Sequence, residues 1–195
     1  MFENKQITRR AKLWITAVVV SGTALLATAQ PAFAEERVCR GTLGAITVDN
    51  LRVPQNATCT LNGTRVQGTI LVERNARLNA NGVQVIGNVQ AEGARAVNVG
   101  GNSNIGGSVQ VKQGGGANVA SSRINGDIQF ESNRSALAAR GNSVGGSVQV
   151  FQNTGDATIA QNTIDGNLQC KENTPAPTGG NNTVQGNKED QCSGL

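Results

Sequence analysis

The sequence predicts an all-β fold: a single-stranded parallel β-helix solenoid of about 20 residues per coil, with disulfide-capped ends. Three observations carry this. Glycines recur at a fixed interval, β-branched residues alternate around them with period two, and four cysteines sit in two pairs about one interval apart.

The glycines are Gly68, Gly87, Gly107, Gly126, Gly146, Gly166 and Gly186, separated by 19, 20, 19, 20, 20 and 20 residues. Two positions before them stand Val66, Val85, Ile105, Ile124, Val144, Ile164 and Val184. Two positions after come Ile70, Val89, Val109, Ile128, Val148 and Leu168, and two further on Val72, Ala91, Val111, Phe130, Val150 and Cys170. Strict alternation is strand geometry, and in-register copies predict strands that pair with their own repeats one coil later. A second alternating piece keeps step: Leu78, Val97, Ala117, Leu137 and Ala157, then Ala80, Val99, Val119, Ala139 and Ile159. The unit therefore reads as two strands and about seven coils. Glycine ahead of the main strand predicts a bend whose backbone angles a Cβ would obstruct. Helical repeats have longer units with a 3.6-residue period, and leucine-rich repeats need more leucine in a fixed frame.

Identical residues then stack into columns. Gln90, Gln110, Gln129, Gln149 and Gln169 form one outward row; Asn142, Asn162 and Asn182 line a turn, as do Asn133, Asn153 and Asn173. Amides one strand spacing apart bond along a column, which predicts structural ladders. The Gln row is also the candidate ligand-binding face.

Cys39 and Cys59 are 20 residues apart, and Cys170 and Cys192 are 22 apart. Residues one coil apart lie within disulfide reach, so the pairing Cys39–Cys59 and Cys170–Cys192 is expected, one staple per end. Such spacings do not suit zinc, and no metal site or cofactor is expected.

Residues 1–34 read as a signal peptide. Lys5, Arg9, Arg10 and Lys12 precede the apolar run from Leu13 to Ala29, and Ala32-Phe33-Ala34 offers a cleavage site. The remainder divides into residues 35–67 (N-terminal cap and first coil), 68–169 (repeats) and 170–195 (C-terminal cap). The chain has 17 basic and 13 acidic residues; four and one of these lie in residues 1–34, leaving 13 and 12. The positive charge thus belongs mostly to the leader, which removes the argument for nucleic-acid binding. No membrane span is expected after leader removal, and the expected location is extracellular, periplasmic or cell-envelope.

The coil pattern resembles that of right-handed parallel β-helix proteins. The segment Leu168-Gln169-Cys170-Lys171-Glu172-Asn173-Thr174-Pro175 through Gln191-Cys192 resembles the terminal module of uncharacterised secreted bacterial proteins. The resemblance spans residues 38–192 and implies a fold and a compartment, with no established activity.

Some β-helix proteins cleave polysaccharides, which makes carboxylate pairs the candidate chemistry. The column after the main strand reads Glu73, Glu92, Lys112, Glu131, Phe151 and Lys171, making Glu73 and Glu92 neighbours. They are a candidate dyad or weak calcium site, but Arg74, Arg77 and Arg95 nearby favour a solvated charge cluster. Asp127 and Asp165 are isolated, Arg123 with Asp127 is too weak a pair to assign, and the chain has no histidine. No catalytic residue is expected. The expected function is a non-catalytic structural or adhesive protein, with carbohydrate binding or polysaccharide cleavage as the alternative. Expected partners are surface polysaccharide, another protein, or further copies joined end to end.

Overall fold

A computed structural model describes residues 35–195; the leader reading lies outside them. The described chain coils through 25 short strands in three parallel sheets of nine, eight and eight strands. Sheet A runs from Glu36–Val38 through Asn50–Val53, Ile70–Val72, Val89–Glu92, Val109–Lys112, Ile128–Glu131, Val148–Phe151 and Leu168–Lys171 to Lys188–Asp190. Sheet B runs from Gly41–Leu43 to Thr178–Gly180, and sheet C from Thr47–Val48 to Thr183–Val184. The chain visits A, B and C in turn, and each strand pairs with its copy one turn later, as in Val109↔Ile128 and Leu137↔Ala157. No helix among the described residues is long and apolar enough to cross a membrane.

Two sequence expectations change in detail. Each turn holds three strands rather than two, because the alternating unit bends at its glycine. Ile124 closes a strand of sheet C, whereas Ile128 and Phe130 lie on sheet A. There are also eight turns rather than seven. In the first, Glu36 pairs with Asn50, a step of 14 residues, and Asp49 occupies the corner that glycine holds later. A short turn without the glycine could not be counted by a glycine periodicity.

The corner glycines do not adopt positive φ. Their requirement is close approach. The Gly126 N–H donates to the Gly107 carbonyl at 3.0 Å, and the same contact links Gly87, Gly107, Gly146, Gly166 and Gly186 to their predecessors. A Cβ on Gly166 would lie 2.8 Å from the Gly146 carbonyl carbon and oxygen, and one on Gly126 would lie 3.0 Å from the Gly107 carbonyl. The left-handed conformation belongs instead to the other two corners: between sheets A and B at Asn75, Gly93, Gln113, Ser132, Gln152 and Glu172, and between sheets B and C at Gly63, Gly82, Asn102, Ser121, Gly141, Gln161 and Asn181.

Inward side chains of all three sheets form one core. The columns Leu51 to Leu168 and Val53 to Cys170 on sheet A are buried, as are the sheet B columns and Val66, Val85, Ile105, Ile124, Val144 and Ile164 of sheet C. Phe130, the largest fully buried side chain, fits between Val111 and Val150 in its column. Disulfides join Cys39 to Cys59 and Cys170 to Cys192, with Cα separations of 5.6 and 5.2 Å.

Gly126→Ala should lower the unfolding free energy by about 1–3 kcal/mol, since the new methyl would run into the Ser108 hydroxyl and, at 3.0 Å, the Gly107 carbonyl. Chemical denaturation measures this, and a loss below about 0.5 kcal/mol, typical of an unconstrained surface site, would show that the corners are not tight.

Candidate functional site

The outer face of sheet A presents the Gln row expected from the sequence. Each Nε2 donates to the next Oε1: Gln90 to Gln110 at 3.3 Å, Gln110 to Gln129 and Gln129 to Gln149 at 3.0 Å, Gln149 to Gln169 at 3.1 Å. The row ends on Glu189, whose carboxylate accepts from Gln169 at 2.8 Å and from Asn167 Nδ2 at 3.1 Å. Leu71, 40% exposed, continues the column toward the N-terminus. Every glutamine is half-buried. From Gln110 to Gln169 the ladder uses one N–H and one lone pair of each amide, leaving a second N–H and a second lone pair, while Gln90, beside Leu71, only donates. The row is thus an axial hydrogen-bond chain with unused polar capacity at every turn.

The two asparagine columns point the other way, into the molecule. Asn153, fully buried, donates from Nδ2 to the Phe130 carbonyl and to Asn173 Oδ1, both at 2.9 Å. Its Oδ1 accepts from the Asn133 N–H at 2.8 Å and from Asn133 Nδ2 at 3.1 Å. Asn142, Asn162 and Asn182 repeat this arrangement onto Val119, Ala139 and Ile159 carbonyls. Gln191 closes the first column by accepting from the Asn173 N–H and Nδ2 at 2.9 and 3.0 Å. No buried side-chain polar atom among the described residues lacks a partner. Buried amides stay in a core only when their bonds are complete, which this column achieves.

A fourth ladder, not among the sequence expectations, nevertheless carries a sequence signal. The residue after each corner glycine is Thr69, Asn88, Ser108, Asp127, Ser147, Asn167 or Asn187, always a side chain able to accept. Ser108 Oγ accepts the Asp127 N–H at 3.0 Å, Asp127 Oδ1 accepts the Ser147 N–H at 2.7 Å, and Ser147 Oγ accepts the Asn167 N–H at 3.0 Å. Asp127, weighed with Arg123 as a pair, is therefore a rung of this ladder, while Arg123 lies exposed on sheet C. Asp165 accepts from Gln185 Nε2 at 2.9 Å on the exposed surface.

Glu73 and Glu92 occupy successive turns, one position beyond the register pair Val72↔Ala91. With Leu71, Arg74, Gly93 and Arg134 they line an open depression at the edge of sheet A. Their surroundings differ. Glu73 accepts the Gln55 N–H at 2.8 Å and the Arg52 guanidinium at 3.1 Å, and Arg52 also holds Glu36 at 2.7 Å. The backbone N–H, followed by the guanidinium, holds the Glu73 carboxyl below its usual range; the two carboxylates raise Arg52. Glu92 is in register with Lys112, whose Nζ meets Glu131 at 2.8 Å. A carboxylate kept ionised by two donors is a poor proton donor at neutral pH, so Glu73 fits an ion-pair network better than an acid–base dyad. No group of three metal-ligating side chains stands together among the described residues.

Comparison with protein-family models, curated proteins and solved structures gave no match. The class that fold and site define is a parallel β-solenoid with axial side-chain ladders.

Replacing Asn153 by leucine should cost at least about 3 kcal/mol, because the Asn133 backbone N–H loses its acceptor in the core, and Asn133 Nδ2, the Phe130 carbonyl and Asn173 Oδ1 each lose one bond. Denaturant unfolding reads this; a change under about 1 kcal/mol would mean the column contributes little.

Proposed function

We propose that the protein is a non-catalytic structural or adhesive rod, acting outside the cell or in its envelope. The observation that carries this reading is the fate of its repeating polar groups. Gln, Asn and the corner Ser, Asp and Asn side chains bond along the axis, turn to turn, and so stiffen the stack. The ionisable side chains at the edge of sheet A form exposed pairs rather than a converging cluster. Two disulfides fasten the terminal turns, and they are consistent with an oxidising compartment. A chain cross-linked at both ends and bonded along its length resists local opening, and with it proteolysis.

A second reading rests on one observation, the unused amide capacity of the Gln row. Donors and acceptors repeated at about 4.8 Å along a flat face suit the hydroxyls of a polysaccharide laid parallel to the axis. On this reading the protein adheres through sheet A.

The test is a polysaccharide screen on the protein as exported by an expressing host, with and without calcium, reading both binding and depolymerisation. The account expects no cleavage products. Where a polysaccharide is bound, the double variant Gln110→Ala, Gln129→Ala should weaken it at least about tenfold, a loss of about 1.4 kcal/mol or more. Cleavage of any polysaccharide would overturn the non-catalytic assignment. Binding unaffected by the double variant would remove the Gln row from the adhesive surface.

A further inference from the structure

One position on the outer face of sheet A departs from the pattern of its neighbours. The column beside the Gln row reads Glu73, Glu92, Lys112, Glu131, Phe151 and Lys171, charged at every turn but one. Phe151 ends the strand Val148–Phe151, in register with Glu131 on one side and Lys171 on the other. Val148 and Val150 of that strand are buried, so by strand alternation the ring faces outward with Gln149. It is half-buried and adds no rung to any ladder. The axial bonds pass through Gln149 beside it, Glu131 is held by Lys112 at 2.8 Å, and Lys171 meets Glu172 at 4.0 Å. Residues 35–195 hold only one other aromatic, Phe130, which is fully buried.

The Phe151 ring is the apolar wall of a shallow depression of about 270 Å³, completed by Glu131, Gln152, Lys171 and Glu172. Sites for whole small molecules usually run from roughly 300 to 1,000 Å³, so this one suits a single ring of a longer chain. Gln152 Nε2 donates to Glu172 Oε2 at 2.9 Å and holds that carboxylate at the rim. With Lys112 counted against Glu131, the acids Glu131 and Glu172 are balanced by Lys112 and Lys171. A balanced rim has no net attraction for an anionic unit, while its carboxylates accept hydrogen bonds from hydroxyls. A pyranose matches both features. Its C–H face packs on the electron-rich face of an aromatic ring, and its edge carries hydroxyls.

We infer that Phe151, with Glu131, Gln152, Lys171 and Glu172, forms a subsite for one neutral pyranose ring of a polysaccharide. The inference rests on the reading in which the protein adheres through sheet A, and it adds what the Gln row lacks. Identical glutamines at successive turns give a polymer no fixed register along the rod. Gln149 lies two residues back along the strand from Phe151, about 6.6 Å away. A chain lying between the two columns therefore meets amides along one edge at every turn and an aromatic face at one turn only. That single contact fixes its position.

NMR of ring-labelled phenylalanine tests the subsite in the protein as exported by an expressing host. The neutral probes are cellohexaose, mannohexaose and maltohexaose, and hexagalacturonate is the anionic one. At least one neutral probe should shift the Phe151 ring signals and leave those of Phe130 in place. Phe151→Leu keeps apolar bulk but loses the flat face, and should weaken that probe by about tenfold, whereas Phe151→Trp should retain it. Thermal unfolding verifies the fold of both variants. Unchanged affinity in Phe151→Leu, beside weakened binding by the Gln110→Ala, Gln129→Ala variant, would overturn the subsite and leave the adhesive reading standing. The inference also fails if no probe shifts the ring, and the adhesive reading falls with it only if the wider polysaccharide screen finds no binding either. Tighter binding of hexagalacturonate than of every neutral probe at that ring would overturn the assignment to a neutral sugar.

Discussion

Everything in this molecule depends on one constraint, that each turn lies a single strand spacing from the last around its whole perimeter. About 4.8 Å leaves no room for uncoordinated side chains at a corner. The glycine column from Gly68 to Gly186 is the direct consequence, because a Cβ there would collide with the corner side chain and crowd the carbonyl of the preceding turn. The corner after it must also satisfy an N–H at every turn, which is why Asn, Ser, Asp or Thr follows each glycine. The same spacing lets amides of one column reach the next, so Asn133, Asn153 and Asn173 can be buried without an orphaned group. Geometry thus dictates composition: few aromatics, many small residues, and amides where other folds place large apolar groups.

That dependence explains what could be read in advance. Period-two alternation and the 19- to 20-residue interval specify strand, stacking and core, and the columns from Val66 to Ile164 and from Leu78 to Ala157 are buried as their spacing implies. The cysteine pairing followed from the coil length alone. The bend inside the unit was hidden because alternation continues across a glycine corner even though the chain changes sheet. The first turn was hidden because its 14-residue step and Asp49 corner break the interval. Glu189 lies in frame, 20 residues after Gln169, but ends the Gln row as a different residue type, and Gln191 stands 18 residues after Asn173, off the interval that identifies the Asn column. The Gln row was legible as a column, but its continuous donor-to-acceptor direction is a property of packed side chains.

The ionisable residues follow the same logic from outside. Alternating turns offer facing positions, and the chain fills several with opposite charges: Arg52 between Glu36 and Glu73, and Lys112 against Glu131. Each such exposed pair is worth little stability alone. Their effect is to present a surface of paired charge along the rod, with Arg37 and Lys188 as cations in line with the core column at its two ends.

The central claim is that the axial ladders are part of the folded core and not surface decoration. Native-state hydrogen exchange resolved at side-chain amides addresses it most directly. The account predicts that the Nδ2 hydrogens of Asn153 and Asn162 exchange as slowly as the backbone N–H groups of Ile128 and Val148, needing the same global opening. Fast exchange at those amides beside a protected backbone would contradict it, since the columns would then open while the stack stays closed.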